Sequence, residues 1–185
     1  MYELRDDDFY RVLAEYPRCA PEFCLMKNDG PAHGEAAHRE ALRFALSRFS
    51  EAVEEPWSCR VEAAAARRID PKALLALPEK PWREKLVLKG EIFAEALHVE
   101  TNGGELPYWN AFLEPPWGVV YGPEDFLRLN AALFPRGPEA LEVLSWSTDW
   151  SDYFDDGHEW WGAACWSVYD RTLDRYAVIM ASATD

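Results

Sequence analysis

After Lys89 the chain contains no further lysine, and from Thr101 onward only four arginines stand against fourteen acidic residues. Up to Glu100 the balance is 15 basic against 19 acidic, so of the formal net charge of −14 only −4 arises there. A surface of this sign repels DNA, RNA and anionic lipid and steers toward basic proteins or cations, although for net charge alone the favoured reading is that acidity keeps a tryptophan-rich chain soluble. Cysteine is scarce as well. Cys19, Cys24, Cys59 and Cys165 form no Cys-x-x-Cys pair and are too few for a disulfide framework, so they read as reduced thiols. No window approaches the ~18 consecutive apolar residues of a membrane span, and Met1-Tyr-Glu-Leu-Arg-Asp-Asp-Asp8 lacks the basic start and apolar run of a secretory signal. A cytoplasmic protein is expected. Asn102-Gly103-Gly104 lacks the Gly-Lys-Ser/Thr ending of a phosphate loop, which removes a nucleotide site.

What the chain does have is apolar mass. Its 185 residues are 49% hydrophobic and 14% aromatic, enough for one substantial core. A single globular domain over 1–185 is expected, with a subdomain boundary near 101–107, where glycine and proline cluster, as the alternative.

The pattern predicts an α+β fold, with a helical N-terminal half and a mainly antiparallel sheet formed by the C-terminal third. Asp7 to Tyr16 reads as a short helix closed by Pro17, and Cys19 to Gly34 as irregular connection. From Glu35 to Glu54, Ala41, Leu42, Ala45, Leu46, Phe49 and Val53 recur at helical spacing. Alanine-rich Arg60 to Arg68 reads as helix. Asp70-Pro71 supplies an N-cap and first-turn proline for a helix through Leu77. Pro81-Trp82 reads as a hinge and Glu91 to Val99 as a helix. Pro123 to Phe134 carries the strongest helix signals, with Glu124 and Asp125 in its first turn. Leu141 to Trp146 alternates as a strand, and Trp161 to Tyr169 with Arg175 to Ala183 reads as a hairpin.

One segment stands apart. Ser145 to Trp161 holds six aromatic rings and five carboxylates in seventeen positions, without a lysine or arginine. As a helix it would stack like charges at three- and four-residue spacing, at about 0.2–0.5 kcal/mol per pair. Gly157 disfavours that helix, whereas Asp155-Asp156-Gly157 suits a turn, so a structured loop with its rings packed on the sheet is expected.

Several chemistries fit the residue types but not the spacing. Asp152, Asp156, His158 and Glu159 offer metal ligands, yet neither the calcium-loop pattern nor the His-Glu-x-x-His zinc pattern is met, and no cofactor is expected. Paired acids with Trp150, Trp160 and Trp161 as platforms could serve a glycosidase if two of them faced each other across a cleft. Cys165 could act as a nucleophile with His158 as base, although a cysteine among Ala163, Ala164 and Trp166 reads as core. His33, His38 and His98 suit helix packing or surface. In size and charge the chain resembles small acidic inhibitors of basic nucleases, including bacterial immunity proteins and nucleic-acid mimics. That resemblance implies a module that inhibits or sequesters a basic protein through Asp149, Trp150, Asp152, Tyr153, Asp155, Asp156, Glu159 and Trp160. A carboxylate enzyme or divalent-metal protein using the same acids is the alternative; another is a structural domain whose rings are core and whose acids form a solvated rim.

Overall fold

The computed structural model describes residues 1–77, 106–118, 121–159 and 161–183. The expected hinge at Pro81-Trp82, the helix over Glu91 to Val99, His98, most of the boundary near 101–107 and Trp160 lie outside these residues. Elements are numbered over the described residues.

Six antiparallel strands form one sheet in the order β1-β2-β6-β5-β4-β3: β1 (Tyr2–Glu3), β2 (Glu22–Lys27), β3 (Ala66–Ile69), β4 (Leu141–Trp146), β5 (Ala163–Asp170) and β6 (Arg175–Ser182). With the helices described below, the fold is α+β. The β5–β6 hairpin is the sheet's centre, pairing Ala163 with Ser182 through to Asp170 with Arg175. Asp170 closes it by accepting the Thr172 and Leu173 N–H groups. Three of the six strands come from the first 70 residues and flank this C-terminal core.

Helices cover both faces. On one side lie α1 (Asp8–Leu13), α3 (Pro71–Leu75), α4 (Tyr108–Leu113) and α5 (Pro123–Leu133), packing Phe9, Phe112, Phe126 and Leu129 against Trp166, Val168 and Ile179 of the sheet. On the other lies α2 (Glu35–Phe49), whose Ala41, Leu42, Ala45 and Leu46 meet Cys24, Val178 and Met180. Because β6 is buried on both faces, Ala177, Ile179 and Ala181 serve one layer while Tyr176, Val178 and Met180 serve the other. Asp70 caps α3 as its sequence signal predicts, accepting the Lys72 N–H, and Asp7 caps α1 in the same way through the Phe9 N–H. Among the described residues, no helix is long and apolar enough to cross a membrane.

Two stretches differ from expectation. The irregular connection assigned to Cys19–Gly34 contains β2, a strand paired on both sides, with β1 and β6. Its Phe-Cys-Leu-Met centre is buried on both faces, so it lacks the alternation that marks a half-exposed strand, and the flanking Pro21 and Asp29-Gly30-Pro31 disguise its ends. The helix assigned to Arg60–Arg68 is instead a 3-10 turn at Val61–Ala63 followed by β3. Pairing of Ala66–Ile69 with Trp146–Val143 outweighs the helix propensity of alanine, and Arg67 and Arg68 give that outermost strand a charged edge.

Candidate functional site

The acid-aromatic segment leaves the end of β4 and crosses the α2 face of the sheet. Its described rings point inward. Trp150 and Phe154 are fully buried, Trp146 and Tyr153 nearly so, and Trp161 packs against the opposite core at the sheet's end. Tyr153 lies edge-on to Phe154 and to Trp57, and its hydroxyl donates to Glu22 of β2 at 2.7 Å. Trp150 and Tyr153, assigned above to partner contact, therefore hold up the segment from beneath; their burial keeps both rings from touching a partner in this conformation.

The loop expectation gives way to helix. Ser151 caps the Tyr153 N–H, a 3-10 turn follows at Asp152–Phe154, and α6 (Asp155–Glu159) continues from it. Acids placed at Asp152, Asp155 and Asp156 sit in the first turns, where the exposed N–H groups favour negative charge and offset the like-charge repulsion. Gly157 lies within α6 instead of in a turn. Its N–H donates to Ser182 Oγ at 3.0 Å and its carbonyl accepts from Gly162 N–H at 2.7 Å. A Cβ at this position would overlap the Gly162 carbonyl oxygen, so glycine is needed here for close backbone approach.

Above the rings, Asp149, Asp152, Asp155, Asp156 and Glu159 are all exposed. Two have structural duties. Asp149 accepts from Ser147 Oγ at 2.6 Å, which with nearby Arg60 and His158 holds its carboxyl below the usual range. Asp152 accepts the Ser58 N–H at 2.8 Å, fastening the segment to the turn before β3. Among the described residues no lysine or arginine side chain forms an ion pair with any of the five. Elsewhere the arginines are used: Glu3 meets Arg48, Asp7 meets Arg175, Glu15 meets Arg128, and Glu142 meets both Arg68 and Arg171.

The metal candidates do not converge. Among the described residues no three His, Cys, Asp or Glu side chains form a group that could hold a metal ion, because Asp152, Asp156 and Glu159 point outward and His158 Nε2 lies 2.7 Å from Thr148 Oγ1. Cys165 is buried and its thiol is pushed well up by desolvation, the opposite of an activated nucleophile. A cleft of about 690 Å³ lies beside the segment, between β4–β5 and α3–α4, with Trp109, Trp166, Thr148 and His158 among its lining residues. Of the five acids only Asp149 reaches it. Sequence reasoning missed this cleft, since it joins α3, α4 and β5, whose contact no local pattern announces. Compared with family models, curated proteins and solved structures, the chain matches none.

Proposed function

We propose that this chain is a binding module for a basic protein, inhibiting or sequestering it in the manner of the acidic inhibitors it resembles in size and charge. One observation carries the reading: five exposed carboxylates, none in an ion pair with a described lysine or arginine, stand on a segment anchored by the buried rings of Trp150 and Phe154. Fixed charges of one sign steer association and disfavour wrong partners, and a preformed display loses little conformational freedom on binding. The same charge disfavours nucleic acid and anionic membranes as partners. Four free cysteines suit a reducing compartment, and we place the protein in the cytoplasm on that ground. A glycosidase-type use of the same acids needs two carboxyls in contrasting surroundings across a cleft, whereas all five here are exposed and one alone lines the cleft.

The test uses poly-L-arginine as the cationic probe, with Asp156→Asn/Glu159→Gln compared against Glu15→Gln/Glu139→Gln. Both double variants remove two charges, and neither pair accepts a backbone N–H. Association is expected to weaken about fivefold in the first and less than twofold in the second, with a shallower salt dependence only in the first. Equal losses would reduce the effect to net charge and reject the site.

A further inference from the structure

Beneath α2 a buried polar chain runs through three elements. The Trp146 indole N–H donates to Ser167 Oγ at 2.8 Å, and the same oxygen lies 2.7 Å from His38 Nδ1. All three residues are buried, Ser167 completely. An indole can only donate, so Ser167 Oγ accepts from Trp146, which leaves the hydroxyl one lone pair and its own proton for His38 Nδ1. The arrangement in which the hydroxyl donates to Nδ1 holds His38 neutral with its proton on Nε2. The Trp146 ring is also gripped from α2 by the Arg39 guanidinium, 4.9 Å from the ring centroid, and Arg39 in turn donates to the Val61 and Ala64 carbonyls. Trp146 is the last residue of β4, immediately before the acidic segment.

We propose that Ser167 donates to Nδ1 of a neutral His38, so that His38, Ser167 and Trp146 form an acid-sensitive latch fastening α2 to the base of the acidic segment, opened when His38 takes a proton from solvent. Protonation puts N–H on Nδ1. Two donors then face Ser167 Oγ, whose own proton loses its acceptor in a dry core, and a charge is left without a paired carboxylate. The neighbours do not supply one. Burial dominates and lowers His38 to about 4; Glu142 of β4 and Glu35 of α2 oppose this while Arg68 of β3 reinforces it, and Arg68 is itself paired with Glu142 at 2.5 Å. Tyr176 of β6 presents its ring edge-to-face 5.1 Å from His38 and is pushed up to about 12, and Cys24 of β2 is likewise raised to about 12. Cys165 of β5 is raised well above its ordinary value, so all three stay neutral. The latch stands independently of any partner; its control over binding rests on the function proposed above.

The measurement is made on the wild-type chain without a partner. Opening that returns His38 to its ordinary value of 6.5 grows about twentyfold between pH 7 and pH 5. The hydrogen-exchange protection factor of the Trp146 indole N–H, corrected for intrinsic exchange, is therefore expected to fall by that factor, while His38→Gln abolishes the pH dependence. Nitrogen chemical shifts of His38 at pH 7 are expected to show Nδ1 unprotonated. Protection constant across the two pH values, or a proton on Nδ1 at pH 7, would overturn the latch, and both readings come from the wild type even if the variant fails to fold.

Discussion

The α1–α4–α5 face of the sheet buries more large side chains than the α2 face, and the two differ in how the acids above them are partnered. On the α1–α4–α5 side, rings pack edge to face with one another, as Phe9 does with Phe23 and Tyr16 with Phe112, and surface acids such as Glu15 find arginines. On the α2 side, a buried histidine, serine and indole share hydrogen bonds, and the acids above Trp150 and Phe154 form no ion pair with a described lysine or arginine. One face buries Glu114 against Asn110 and Arg175 against the Leu133 carbonyl. The other is rigid below and reactive to charge above, which is where binding by electrostatics needs its rigidity.

The largest effect that would sharpen this contrast comes from the rings. Trp150→Ala is expected to cost about 3–5 kcal/mol in urea unfolding, as much as Phe126→Ala on the other face. A cost below 1 kcal/mol would mean that the acidic segment rests on nothing. Next come two buried titrating groups of opposite sign. His38 has its folded value lowered to about 4, so the unfolded chain takes up the proton first and stability falls from pH 6.5 toward pH 4, by roughly 3 kcal/mol. On the other face Glu114, hydrogen-bonded by Asn110 at 2.6 Å, is raised by burial to about 7. Its contribution is therefore present below pH 4.5 and lost as pH rises through 7. His38→Gln should leave a chain that gains stability on acidification, and Glu114→Gln one that loses it; equal pH curves for the two variants would erase the distinction between the faces. Gly157→Ala should follow at about 1–3 kcal/mol from overlap with the Gly162 carbonyl, where a free turn would tolerate alanine. Smallest is Asp156→Asn, expected to shift stability by less than about 0.5 kcal/mol because its carboxylate is exposed.

The elements marked by local chemistry were legible in the sequence. The closing Pro17 marked α1, first-turn prolines with acidic residues beside them located α3 and α5, helical spacing located α2, and the alternating residues of β4 together with the β-rich runs of β5 and β6 located the C-terminal half of the sheet. What hid β2 was burial on both faces, and what hid β3 was a run of alanines whose strand state depends on β4, about 75 residues away in sequence. The candidate segment was half legible. That its rings pack inward follows from their size, but Gly157 read as a helix breaker because its real constraint, the approach of Gly162 and Ser182, belongs to tertiary structure. Likewise nothing around His38 in sequence points to Ser167, 129 residues distant.

The most direct test of the central claim is amide chemical-shift mapping of the wild-type chain titrated with a short arginine-rich peptide at low and physiological salt. Shifts concentrated over Asp149 to Glu159 and weakened by salt are expected. Shifts centred instead on the paired acids of the α1–α5 side, such as Glu15, or spread evenly over the surface, would contradict it.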